Sequence, residues 1–170
     1  VLEPKVFGDA RGYFMESYKK DWFKKHFKGI EFIQDNESQS QKGVLRGLHF
    51  QLPPYAQTKL VRVIQGEVLD VAVDLRRSSK TYGQYESIVL SAKNKKQFFI
   101  PRGFAHGFVV LSETAIFSYK VDNEYSPSHD AGIKWDDESL NIDWTIKNDF
   151  VRLSDKDSSL ESFKSFDSPF

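Results

Sequence analysis

Eight short β-rich runs follow one another from about residue 30 to residue 122: IEFIQDN, GVLRGLHFQ, KLVRVIQG, EVLDVAVDLR, YESIVLSA, KQFFIP, AHGFVVLS and TAIFSYKVD. Parallel strands need long crossovers, usually helical, and no helical pattern separates these runs. The succession therefore predicts a mainly β chain, an antiparallel sandwich or barrel. Within Leu69 to Leu75, apolar odd positions alternate with Asp70 and Asp74, the period-2 mark of a strand with one well-buried face. The polar link LSAKNKKQ and the proline-containing QLPPYAQT read as loops, because Pro53 and Pro54 have no N–H to give a central ladder.

Outside this block the patterns are weaker. Tyr18, Trp22, Phe23 and Phe27 recur near helical spacing and predict one amphipathic helix over Ser17 to Lys28, with Ser17 as N-cap, Gly29 as stop and an Asp21–Lys25 pair on its surface. After Gly132 no period is clean, and short helical turns packed on the barrel are expected. At 170 residues and 39% hydrophobic content, residues 1–170 fit a single domain.

Several function classes fall away on composition. Lysine plus arginine equals aspartate plus glutamate at 24 each, so no global charge draws the chain to nucleic acid or a membrane surface. There is no cysteine for a disulfide, a thiolate metal site or a thiol nucleophile. No apolar run approaches the ~20 residues of a membrane span, and a cytoplasmic location is the expectation.

Chemistry then rests on few side chains. Of four histidines, His26 falls on the polar side of the expected helix and His129, in SPSHD, reads as a turn residue. His49 in GLHFQ and His106 in FAHGF sit inside β runs, where an imidazole must find partners or serve a function. Arg46 precedes His49, and Lys59 and Arg62 occupy the next run, so cations converge on one region as a diphosphate ligand requires. Strict alternation would put Arg46 and His49 on opposite faces; a bulge at Gly47 would bring them together. The chain has no H-x-H pair, no thiol and no evident third ligand, which favours a metal-free acid/base site over a metal centre. Such a site needs a base, a carboxylate to orient it and an opposing acid. Tyr119 and Tyr125 are the candidate acids, and Asp157 or Asp155 in LSDKD the candidate carboxylates.

Assembled in order, DARGYFMESY, QDNESQS, GVLRGLHFQ, QTKLVRVIQGEVLDVAVDLR, PRGFAHGFVVLS, IFSYKVDNEYSP, GIKWDDESLNIDW and LSDKD resemble the dTDP-4-dehydrorhamnose 3,5-epimerase family over nearly the whole chain. The resemblance implies a cupin-type double-stranded β-helix, a jelly-roll barrel with a short N-terminal helix and short C-terminal helical turns. It implies no cofactor and no metal, and a dTDP-4-keto-6-deoxy sugar as substrate. His49 would be the base, Asp157 its carboxylate, Tyr119 the opposing acid and Lys59 the cation beside the enolate oxygen. Arg46, His106 and Tyr125 would line the substrate pocket. Arg11, Phe14, Glu16, Gln34 and Asn36 would hold the nucleotide across a homodimer, with an aromatic ring on thymine. One departure stands out: the family commonly has glutamate after the proline of the histidine motif, where this chain has Arg102.

Overall fold

A computed structural model describes residues 1–170. The chain opens with a hairpin, β1 (Val6–Asp9) and β2 (Gly12–Met15), followed by α1 (Lys20–His26). Eight strands come next: β3 (Gln34–Gln41), β4 (Leu45–Gln51), β5 (Lys59–Gln65), β6 (Glu67–Asp74), β7 (Tyr85–Ser91), β8 (Gln97–Ile100), β9 (Phe104–Val110) and β10 (Thr114–Val121). A three-residue β11 (Asp130–Gly132) and a one-turn α2 (Asp155–Ser158) complete the set.

The strands form two antiparallel sheets, ordered β3-β10-β5-β8 and β11-β4-β9-β6-β7, facing each other as a jelly-roll barrel. Their inner faces interlock through Val61, Val63, Val68, Ala72, Leu90, Phe108, Val110 and Phe117. A second core lies on the outer face of the five-stranded sheet. There the segment after Gly132 lays Ile133, Trp135, Leu140 and Trp144 over Leu45, Leu48, Leu69, Val71, Val73 and Val109. That sheet is thus covered on both faces, and β6 has no solvated side. The alternation of Asp70 and Asp74 does not mark a wet face: their side chains are 0% and 1% exposed. Each is held instead by partners, Asp70 by His106 and Asp74 by Arg76, Ser79 and Thr81.

Three local expectations need correction. The helix spans only Lys20–His26, because the Ser17 carbonyl accepts from Gln97 Nε2 at 2.7 Å and the chain stays extended through Lys19. Asp21 does not pair with Lys25; Lys20 and Lys24 reach Glu31 instead. The first barrel strand begins at Gln34, not near residue 30, and runs on to Gln41, since its pairing with β10 continues over the polar ESQSQ. The β1–β2 hairpin and β11 carry no clear sequence pattern and emerge only in the structure.

Candidate active site

Register decides the site. Between β4 and β9, Arg46 pairs with Phe108 and His49 with His106, three steps on one strand against two on the other. The additional residue is a bulge at Gly47–Leu48, and it resets the alternation. Leu45, Leu48 and Phe50 all enter the outer core, so Arg46, His49 and Gln51 turn together to the barrel interior. Gly47 is required there: its φ is +129°, and a Cβ would lie 2.5 Å from Gly107 Cα and 2.7 Å from the His106 carbonyl oxygen.

Alternation on the opposing sheet brings Lys59 inward with Val61 and Val63, Tyr119 inward with Phe117, and Gln34 and Asn36 inward on β3 beside β10. The result is a polar cavity of about 340 Å³ at one end of the barrel, lined by His49 and Gln51 on one wall and Lys59, Tyr119, Gln34 and Asn36 on the other. Tyr125, Asp130 and Lys156 stand at its rim. Arg62, expected among the converging cations, has the opposite parity on β5 and turns to the outer face of the sheet beside Lys120 and Asp35.

Polar contacts fix the walls. His49 Nε2 contacts Asp157 Oδ1, and Asp155, the alternative carboxylate, is exposed at the start of α2. Ser154 caps α2 by accepting from the Asp157 N–H at 3.1 Å, and its hydroxyl donates to Asp157 Oδ2 at 2.8 Å, so the carboxylate has one orientation. Burial works to raise the Asp157 carboxyl, but the His49 and Ser154 hydrogen bonds outweigh it and hold the group ionised below its usual range. Behind the cavity, His106 Nε2 shares hydrogen bonds with both oxygens of Asp70, at 3.0 and 3.1 Å, across β9 and β6. Burial pushes the Asp70 acid up and the His106 imidazole down, driving each toward its neutral form.

Lys59 is driven in the same way: burial lowers its ammonium from 10.5 to about 8, with Asp70 and Asp130 opposing the shift. Burial raises the Tyr119 phenol and the Arg46 charge counteracts it, leaving a protonated hydroxyl at the cavity wall. Arg46 itself is exposed at the barrel mouth, with Nε donating to Ser40 Oγ at 3.1 Å. Tyr125 donates its hydroxyl to Asp130 Oδ2 at 2.9 Å, and the same carboxylate meets Lys156 of α2.

The structure divides the expected residues into two sets. His49, Lys59, Tyr119, Tyr125, Gln34 and Asn36 line the cavity, Asp157 and His106 back it, and Arg46 lies at the mouth. Arg11, Phe14 and Glu16 do not line it; they lie on and just after the exposed β1–β2 hairpin, where Arg11 pairs with Asp9. His26 stacks on Trp22 at 4.2 Å and His129 is held by Ser126 and Ser128 in its turn, so both stay outside the site. Sequence reasoning missed Asp70, Gln51, Gln57, Asp130 and Lys156. An aspartate within the apolar run of EVLDVAVDLR signals a buried pair, since strands covered on both faces read as near-continuous hydrophobics; the other four carry no local signal. No three His, Asp or Glu side chains gather as a metal site would require.

Comparison with known proteins places the whole chain. The family model described as dTDP-4-dehydrorhamnose 3,5-epimerase matches residues 1–165. A dTDP-4-dehydrorhamnose 3,5-epimerase of Shigella flexneri is 56% identical over 164 residues, 96% of this chain and 90% of the relative. A crystal structure of the enzyme of that name from Elizabethkingia anophelis superposes with a TM-score of 0.90 at 52% identity, covering 95% of this chain and 89% of the other. The Legionella pneumophila 3,5-epimerase, solved in complex with dTDP-4-keto-L-rhamnose, gives 0.92 at 48% identity, over 97% and 87%.

Proposed function

Because this chain belongs to the dTDP-4-dehydrorhamnose 3,5-epimerase family, we propose that its barrel cavity inverts C3 and C5 of dTDP-4-dehydro-6-deoxy-D-glucose through His49, Asp157, Lys59 and Tyr119. The product is dTDP-4-dehydro-β-L-rhamnose, an intermediate of rhamnose biosynthesis. One observation carries the assignment of roles: an imidazole backed by an ionised carboxylate occupies one wall of the cavity, while a protonated phenol and a half-buried lysine occupy the other.

The ketone at C4 acidifies the hydrogens on C3 and C5. His49 removes one of them, the C–H pair becomes the C3–C4 or C4–C5 double bond, and the carbonyl electrons move to the C4 oxygen as an enolate. The Lys59 ammonium stabilises that oxygen in a water-poor site, where a fixed positive charge contributes about 3 kcal/mol or more. Return of a proton from His49 would restore the starting sugar. Delivery from the Tyr119 hydroxyl on the opposite wall inverts the centre, and solvent resets both groups. Asp157 orients the imidazole and stabilises the imidazolium.

The nucleotide end fits the remaining residues. Arg46 at the mouth suits the diphosphate. Arg11, Phe14 and Glu16 sit on an exposed element that also presents Phe7 and Tyr13, and a second copy of the chain would bring this apolar surface over a neighbouring mouth. The working unit is then a homodimer with composite sites, each built on residues 1–170 as one domain. Mixing His49→Ala and Arg11→Ala subunits tests it: hybrids regain activity in sites that combine the two intact halves, whereas independent monomers regain none. For the chemistry, incubation with the 4-keto sugar nucleotide in D₂O is expected to place deuterium at both C3 and C5; label at one centre alone refutes double inversion.

A further inference from the structure

Asp122 directly follows β10, the strand that carries Tyr119, and its side chain is 1% exposed. Its Oδ1 accepts the Thr58 N–H at 2.6 Å, and its own N–H donates back to the Thr58 carbonyl at 3.3 Å. Thr58 is 1% exposed and directly precedes Lys59. One carboxylate therefore joins the end of β10 to the start of β5. The loops on either side repeat the linkage: Gln57 Nε2 donates to the Asn123 carbonyl at 2.9 Å, and Asn123 Nδ2 to the Pro54 carbonyl at 3.0 Å.

The second oxygen of this buried carboxylate has no hydrogen bond. Its counter-charge is the Arg102 guanidinium, with Nη2 at 3.1 Å but off the line needed for a hydrogen bond. A buried carboxylate is held best with a counter-ion beside it, and Arg102 is the cation placed against this one. Glutamate there would bring a second negative charge to a buried carboxylate.

We propose that Asp122 is a positioning residue for the epimerisation, holding Lys59 and Tyr119 in one fixed relation across the cavity, and that Arg102 is the counter-ion that holds its carboxylate in place. The proposal rests on the roles given to Lys59 and Tyr119. Its physical content is the steep dependence of a charge-stabilised step on sub-ångström placement of the stabilising group.

The test is a charge cycle on the full-length protein. Arg102→Glu is expected to lower kcat by about tenfold or more with KM within roughly twofold, because the diphosphate contacts are untouched. Asp122→Ala removes the acceptor for the Thr58 N–H and is expected to lower kcat by about tenfold or more with KM within roughly twofold, whereas Asp122→Asn keeps an oxygen acceptor for Thr58, and combining it with Arg102→Glu is expected to recover most of the kcat lost in Arg102→Glu, since the repelling charge is gone. Deuterium wash-in is read beside turnover, and misplacement of Lys59 is expected to lower both. Should Arg102→Glu fail to fold, Arg102→Gln takes its place, with a smaller loss again relieved by Asp122→Asn. Parent-like kcat in Arg102→Glu, or in Arg102→Gln where that variant stands in, overturns the proposal, as does a loss that Asp122→Asn does not relieve. Lys59→Met separates this from the underlying assignment: if it turns over normally, the role of Lys59 fails whatever the cycle shows.

Discussion

Replacing Gly47 by alanine strikes the one backbone feature on which the position of His49 depends. The residue sits at φ +129°, and the added methyl would meet Gly107 Cα at 2.5 Å and the His106 carbonyl at 2.7 Å, both backbone atoms of a central strand. Holding a non-glycine residue in such a region costs on the order of 1–3 kcal/mol. Forcing a methyl into a packed interior adds about 1–3 kcal/mol. Together these give about 2–6 kcal/mol, and at roughly 2–4 °C per kcal/mol for a chain of this size the melting temperature falls by at least ~4 °C. The approach is equally tight seen from β9, where a Cβ on Gly107 would lie 2.8 Å from the Arg46 carbonyl oxygen and 3.2 Å from Gly47 Cα. The chain relieves the clash by opening the bulge, which returns Arg46 and His49 to opposite faces. Differential scanning calorimetry measures the first effect, and deuterium wash-in at C3 and C5, on folded protein at a temperature well below its transition, measures the second. A variant that melts within ~2 °C of the parent and exchanges at the parent rate would refute the reasoning, since neither the strain nor the dependence of His49 on the bulge would be real.

Other outcomes follow from the same geometry. His49→Ala is expected to abolish exchange, while Tyr119→Phe retains exchange but loses inversion; NMR of the recovered sugar distinguishes the two. Asp157→Asn removes the charge that backs His49 and is expected to reduce kcat by roughly 10²-fold or more with little change in KM, seen in steady-state kinetics. Burial brings the Lys59 ammonium down to about 8, so the protonated form that stabilises the enolate is present below that pH and lost above it. The pH–rate profile is expected to fall on its alkaline side near 8, and Lys59→Arg to move that fall to higher pH; an unchanged limb in the arginine variant assigns it to another group. The same shift makes stability rise with pH between about 8 and 10.5, where the unfolded chain binds a proton that the folded chain does not.

The catalytic roles proposed here separate cleanly into a proton-transfer pair and an electrostatic group. His49 and Tyr119 come from different sheets, and Lys59 shares the wall of Tyr119, two strands away from β3 with its Gln34 and Asn36. Such an arrangement needs both sheets in register, which accounts for the number of cross-links at the cavity end. Gln51 alone donates to the carbonyls of Tyr55 and Glu124 at 2.7 and 2.9 Å and accepts from the Ser126 N–H at 2.7 Å. None of those groups reacts, but they tie the loop before β5 to the loop after β10.

Local pattern determined a good part of this. Alternating and apolar runs separated by turn residues announced the antiparallel barrel, since strand formation and the burial of one face are written residue by residue. The motifs around His49, His106 and Tyr119 carried the family, because fixed spacing on neighbouring strands survives in the linear order. What the sequence could not decide depends on contacts between distant segments. The alternation around Asp70 and Asp74 marks one well-buried face, and only the tertiary structure buries the strand on both sides, the barrel interior closing over one face and the C-terminal segment over the other. The local pattern of LSDKD does not choose between Asp157 and Asp155; the Ser154 cap does, turning Asp157 toward His49, more than 100 residues away in sequence, and leaving Asp155 in solvent. Arg62 kept company with Lys59 in the chain but not in space, because side-chain parity on a strand is fixed only once its register is known. The bulge at Gly47 is the sharpest case: glycine permits it, but what requires it is the backbone of β9 pressed against it, a neighbour that no local pattern specifies.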